Sequence, residues 1–269
     1  MKDVANTALH RVVAGFRTHV GGRDVNEDAM YQAAAAETGR ENPRGRLWAV
    51  ADGMGGHSGG REASNLACRG LQAFFERPLT DPKDLSARAL CRHLTETVLR
   101  VDRLVRQKAA SRPSLAHMGT TLSCLLLADG HSIIAHVGDS RIYRWRRGHL
   151  TCLTTDHTFV QEMIFEGEVS PEKADVHPLR HFLTQAVGTV EPLDHVANRM
   201  DRICDGDRFL LCTDGLHNVL DAGRLAAVMS LDKDADSLAE DLVAAALNHN
   251  TPDNVTALVV LLLENGSAR

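Results

Sequence analysis

The stretch TTLSCLLLADGHSIIAHVGDSRIYRWRRGHLTCL, residues 120–153, decides the reading of the fold. Four short apolar runs, 122–127, 133–137, 141–145 and 150–153, are separated by Asp129-Gly130, Gly138-Asp139-Ser140 and Arg147-Gly148. Runs of that length, rich in Leu, Ile, Val, Tyr and Trp and bounded by turn residues, form strands, and connections so short join antiparallel neighbours. The stretch predicts a meander of four antiparallel strands.

Upstream, 12–19 and 28–36 read as two strands either side of Gly21-Gly22-Arg23-Asp24-Val25-Asn26-Glu27, and the apolar run 47–51 stops abruptly at Asp52-Gly53. Residues 62–75 and 85–110 carry apolar residues at helical spacing, in the second Leu90, Leu94, Val98, Val101, Leu104 and Val105, with Asp84 placed to cap it. Downstream, 158–167 reads as a short helix. A polar segment with His and Pro continues to His181 as a surface excursion. After residues 182–186 comes a strand at 208–213, which is cut off by Asp214-Gly215. Helices at 222–229 and 237–248 and a last strand at 255–263 follow. Strands, helices, strands and helices in that order predict an α+β fold: a four-layer α/β/β/α sandwich of two antiparallel sheets, each covered by helices. One domain is expected over 1–269, with its core at about 12–263.

A chain of 269 residues, 43% hydrophobic, is long enough to bury a full core. Its net charge of −5, with Lys and Arg scattered in ones and twos, leaves no basic stripe for a nucleic-acid backbone. The six cysteines lack CxxC spacing, and four of them sit in apolar stretches, as free thiols in a reducing compartment do. Residues 1–10 lack the apolar core of a signal peptide, and no apolar run reaches membrane-spanning length. A cytoplasmic chain without membrane contact is expected.

Asp52, Asp139, Asp214 and Asp253 each stand at an end of an apolar strand pattern, where a side chain can project from a rigid element into a cleft. An Asp-Gly pair after a strand is most often only a turn, and Asp129-Gly130 and Asp205-Gly206 read that way. If four or more carboxylates share a cleft, they cannot all ionise without a counter-charge, which a divalent cation supplies. An all-oxygen set, with neither HExxH nor Cys/His pairs, favours Mg²⁺ or Mn²⁺ over zinc. The glycines of 53–60 lack both GxGxxG order and a P-loop lysine, so they suit close backbone approach to a metal better than a nucleotide.

Six motifs occur in order: Arg23-Asp24-Val25-Asn26-Glu27-Asp28, Asp52-Gly53-Met54-Gly55-Gly56-His57, Gly119-Thr120-Thr121, Gly138-Asp139-Ser140-Arg141, Thr213-Asp214-Gly215 and Asp253-Asn254-Val255-Thr256. Together they resemble the bacterial-type PP2C (PPM) metal-dependent protein serine/threonine phosphatases, over nearly the whole chain. The resemblance implies that Asp52 bridges two metals, that Gly53 contributes its carbonyl, and that Asp214 and Asp253 complete one ion. Glu27 and Asp28 serve the other, either one directly and the other through water. Asp139 reads either as a turn residue or, by the resemblance, as a ligand of a third ion with Asp214 shared. Arg23 matches the phosphate-binding arginine, and its guanidinium fork can pair with two phosphoryl oxygens.

The implied reaction is attack of a metal-activated water on phosphoserine or phosphothreonine, with no covalent phosphoenzyme. No Cys-x5-Arg loop is present to supply one. Met54 stands where many eukaryotic relatives have the acid histidine, so His57 or water protonates the leaving alkoxide. Residues 157–183 resemble the flap beside the active site, with Thr158 where serine is common. Asn218 stands where some relatives have aspartate. Phosphorylated proteins and a cognate bacterial Ser/Thr kinase are the expected partners, and the chain is expected to be a monomer. A non-catalytic phosphoprotein sensor and a two-metal nuclease are the rival readings.

Overall fold

The computed structural model describes residues 11–33, 42–55, 59–76, 82–174 and 176–263. Its strands are β1 Arg11–His19, β2 Ala29–Gln32, β3 Arg46–Ala51, β4 Gly53–Met54, β5 Gly119–Thr120, β6 Leu122–Ala128, β7 His131–Val137, β8 Arg141–Arg146, β9 His149–Cys152, β10 Ala197–Arg202, β11 Arg208–Cys212 and β12 Val255–Leu263. The helices are α1 Gly59–Gly70, α2 Ala73–Glu76, α3 Ala87–Ala110, α4 Phe159–Phe165, α5 Pro171–Ala174, α6 Asp214–His217, α7 Ala222–Met229 and α8 Ala235–Asn248. One sheet runs β1-β12-β11-β8-β9 and the other β10-β7-β6-β3-β2, every pairing antiparallel.

Strand alternation explains why these strands are continuously apolar. In β12, Val255, Ala257, Val259 and Leu261 face α7 and α8, while Leu258, Val260 and Leu262 face the other sheet. In β3, Leu47, Ala49 and Ala51 lie under α1 and α3, while Trp48 and Val50 join the layer between the sheets. Both faces are buried, so the period-2 pattern of a half-exposed strand gives way to an unbroken run. The four-layer α+β sandwich of the sequence reading is the observed architecture.

Several boundaries differ from the reading. The meander is split: β6 and β7 pair in one sheet and β8 and β9 in the other, with Gly138-Asp139-Ser140 crossing between them. Helix 62–75 is two helices, α1 and α2, and β2 ends at Gln32. Leu104, placed in the core stripe of α3, is 37% exposed. The cap of α3 is Ser86, not Asp84: its hydroxyl accepts from the Ala89 amide at 3.4 Å, while Asp129 accepts from the Ala87 amide at 2.9 Å. Ser86→Ala is expected to cost about 1 kcal/mol of stability, read by urea denaturation, whereas Asp84→Ala should leave the N-cap bond intact. The sequence reading omits β10, an edge strand. Its residues Asn198, Arg199, Asp201 and Arg202 give no apolar alternation, and among the described residues it pairs only with β7.

Candidate metal centre

Register brings the candidate residues to one end of the sandwich. Ala29 opposes Ala51, and Leu122 opposes Val137, so Asp28, Asp52, Thr121 and Gly138 lie at the same end of one sheet. In the other sheet Arg141 opposes Cys212 and Cys212 opposes Ala257, which places Ser140, Thr213 and Thr256 at the matching end. Asp214 follows β11 after Thr213, Asp253 precedes β12 with Asn254 between, and Asp139 lies on the crossover.

The motif residues around these carboxylates hold backbone. The Asp52 amide donates to Thr121 Oγ1 at 2.8 Å, and the Asp52 carbonyl accepts from the Thr121 amide at 2.9 Å and from Thr120 Oγ1 at 2.8 Å. Thr120 and Thr121 thus clamp Asp52 at the strand end. Asn254 accepts from the Glu27 amide at 2.8 Å and donates to the carbonyls of Val20 at 2.8 Å and Val25 at 3.0 Å, fixing the loop that carries Arg23 and Glu27. A Cβ on Gly53 would strike the Gly60 backbone and stand 2.6 Å from the Glu27 carbonyl, so only glycine lets these three segments meet.

Asp28 is served by an ordered chain of donors. Asn26 donates to Thr18, Thr18 to Thr256, and Thr256 to Asp28 Oδ2 at 2.6 Å; Thr213 donates to the same oxygen at 2.9 Å. Oδ2 is saturated, while Oδ1 is buried with no partner. Glu27 Oε1 and Asp214 Oδ1 are likewise buried and unpartnered. Asn218 donates to Asp214 Oδ2 at 3.0 Å, a bond that an ionised aspartate at 218 could not make.

Electrostatics registers the crowding. Burial, partly opposed by the Thr256 and Thr213 hydrogen bonds and reinforced by Asp214 and Asp253, pushes Asp28 up to about 7. Burial, then Asp214 and Asp156, raises Asp139 to about 8. Asp52 is held well above the carboxylate range by burial and by the charges of Asp28, Asp214, Asp139 and Asp253, and Asp214 is raised by burial and Asp253. These shifts describe carboxylates that lack a counter-charge. Among the described residues, no three His, Cys, Asp or Glu side chains stand as a formed coordination shell. The carboxylates are neighbours that do not converge on a common point.

One reason is Arg23. Its guanidinium holds Asp253 Oδ2 at 2.6 Å, and the Asn254 amide donates to Oδ1 at 2.8 Å, so both Asp253 oxygens are engaged. The arginine side chain is 59% exposed, and an exposed ion pair contributes only about 0–1 kcal/mol, so a divalent cation can displace it.

The segment predicted as a flap is rooted beside Asp139. His157 donates its amide to the Gly138 carbonyl at 2.8 Å, Phe159 donates to Phe182 at 3.0 Å, and Thr158 bridges Leu183. Thr158 itself caps α4, accepting from the Gln161 amide at 3.3 Å. His57 lies outside the described residues. The sequence reading assigned no role to Thr213, Thr256, Asn254 or His217. The first three lie inside the quoted motifs, as polar residues flanking buried strands, and that placement was the available signal.

The molecule is thus a two-sheet α+β sandwich with buried, crowded carboxylates at one end. The protein phosphatase 2C family model matches residues 17–257, and the chain belongs to that family. It is 35% identical over 234 residues to the serine/threonine protein phosphatase PstP of Mycobacterium tuberculosis (strain CDC 1551 / Oshkosh), covering 87% of this chain but 41% of that relative. The chain thus spans about two fifths of that protein's length. With the serine/threonine phosphatase stp of Listeria innocua it shares 33% identity over 211 residues, 78% of this chain and 82% of that one. A solved catalytic domain of PstP, in complex with two manganese ions, superposes with a TM-score of 0.78 at 31% identity, covering 94% of this chain and 99% of that one.

Proposed function

We propose that the chain is a metal-dependent protein serine/threonine phosphatase, hydrolysing phosphoserine and phosphothreonine on proteins and opposing a bacterial Ser/Thr kinase. The observation that carries this is the set of bare, buried oxygens at one end of the sandwich, Glu27 Oε1, Asp28 Oδ1 and Asp214 Oδ1, around an Asp52 held above its ordinary range. Orphaned acceptors on crowded carboxylates fit hard divalent cations, Mn²⁺ or Mg²⁺. Asp52, Asp214, Asp253 and the Gly53 carbonyl would hold one ion. Asp52 with Glu27 and Asp28 would hold the second, and Asp139 with Asp214 a third. Bound there, the metals would acidify a water and neutralise charge on the phosphoryl group.

The chain's own residues do the rest. Thr213 and Thr256 commit Asp28 Oδ2, so only Oδ1 faces the cluster. Arg23 would be free to pair with two phosphoryl oxygens once Asp253 was engaged by a cation. His217 cannot supply the alkoxide's proton: burial and the Arg141 charge push it down to about 3, and its Nε2 faces a carbonyl. His57 or solvent water takes that role.

The test is phosphate release from a phosphothreonine peptide in Mn²⁺, with and without chelator, beside a DNA substrate. Metal-dependent release from the peptide alone is expected. Binding of the peptide without release under excess Mn²⁺ would replace this reading with a sensor, and DNA cleavage would replace it with a nuclease.

A further inference from the structure

We infer that His217 is a positioning residue, which ties Asp139 to Asp214 and so sets how tightly the Asp139 side of the site holds a divalent cation. The inference rests on the cation reading above but concerns a residue outside the motif carboxylates.

Asp139 lies where the chain leaves one sheet for the other, a place with no ladder bonds of its own. Its neighbours are anchored locally. Gly138 exchanges bonds with His157 (amide to Nδ1 at 3.1 Å, carbonyl from the His157 amide at 2.8 Å), and the Ser140 carbonyl accepts from Ser123 Oγ at 2.9 Å. The carbonyl of Asp139 is held from the other sheet, by His217 Nε2 at 3.0 Å. His217 is the last residue of α6, the single turn that begins at Asp214. Residues three apart on a helix share a face, so α6 is a rigid bracket with Asp214 at one end and the Asp139 tether at the other. Any displacement of the tether changes the separation of the two carboxylates.

The protonation pattern follows from the partner. A carbonyl only accepts, so Nε2 carries the hydrogen and the neutral ring leaves Nδ1 a bare lone pair. Nδ1 is buried and has no partner. An apolar side chain would fill this place without an orphan acceptor, so packing does not account for a histidine here. The bond to Asp139 does.

Manganese binding to the whole chain tests this, by titration calorimetry with MnCl₂ at a fixed pH of about 7.5, near the upper end of the ordinary histidine range. Compared are wild type, His217→Gln, whose amide nitrogen reaches the Nε2 position, His217→Asn, whose amide nitrogen reaches only the Nδ1 position, and His217→Leu. The expected result is that Leu and Asn weaken the weakest class of Mn²⁺ site about tenfold and leave the tighter classes within about twofold. Gln should restore it, and turnover by the Leu variant should recover at about tenfold higher Mn²⁺. If Leu does not fold, the Gln and Asn pair decides. Identical isotherms for Gln and Asn, or equal loss from every class, overturn the inference. A wild type that binds no Mn²⁺ overturns the cation reading itself, and the inference with it.

Discussion

Asp214→Asn is expected to lower kcat/KM on a phosphothreonine peptide by about a thousandfold or more, while raising the melting temperature of the metal-free protein. The two effects have one origin. Asp214 sits among Asp52, Asp139 and Asp253, with its Oδ1 buried and bare. As a ligand it would supply negative charge to more than one cation position, and a loss of about 4 kcal/mol of transition-state stabilisation corresponds to that rate factor. Without metal, the same charge is a liability, since like charges in a desolvated cluster repel. The amide is nearly the same size, so packing is preserved. A substitution that merely damaged the fold would lower both quantities. The idea fails if the variant keeps more than a tenth of the activity, or if its melting temperature in chelator drops by several degrees.

Much of this site was legible in the sequence, and the illegible part has a physical cause. Acidic residues at the ends of apolar runs mark places where a strand stops and a side chain projects, the reading made for Asp52, Asp139, Asp214 and Asp253, whereas Asp28 entered only through the family resemblance. The fold class followed from runs such as 255–263, apolar without interruption because both faces are covered. What escaped were relations between distant residues. Nothing local to Ser140 and Arg141 says that the chain changes sheet there, because a hairpin turn and a crossover can use the same Gly-Asp-Ser residues. β10 escaped because an edge strand needs no apolar pattern. The roles of Asn254 and His217 depend on partners 227 and 78 residues away. The Arg23–Asp253 pair is of the same kind, and it joins two residues read as having separate functions, so that Arg23 and a cation would compete for one Asp253 oxygen.

The carboxylate cluster also predicts how stability responds to pH. Ordinary carboxylates in the unfolded chain titrate near 3.8, whereas in the metal-free fold Asp28 is raised to about 7 and Asp139 to about 8. Asp52 and Asp214 are displaced in the same direction. Between those limits the folded state holds protons that the unfolded state has released, so stability falls as pH rises, is fully retained below about 4, and stops falling once the folded groups have ionised. Two buried histidines act oppositely. His136, lowered to about 4 by burial and His157, and His217, lowered to about 3, make the unfolded state the better proton binder up to the ordinary histidine value of 6.5, so their contribution rises with pH over that range. The two sets offset one another below 6.5, and above it the carboxylates act alone. In chelator, therefore, the melting temperature should fall between about pH 6.5 and 8. With the folded state holding one to two more protons than the unfolded state across this window, the loss is about 2–4 kcal/mol, or roughly 5–10 °C for a chain of this size. On the proposed reading Mn²⁺ would bind the ionised carboxylates, so it would compete with the protons and its affinity would rise with pH. It should cancel the fall, giving a larger melting shift at pH 8 than at pH 6.5, with proton release on binding visible in a weakly buffered titration. A metal-free melting temperature that is level or rising across this window would mean that the carboxylates are not crowded as described, and the case for a cation centre at this end of the sandwich would lose its electrostatic basis.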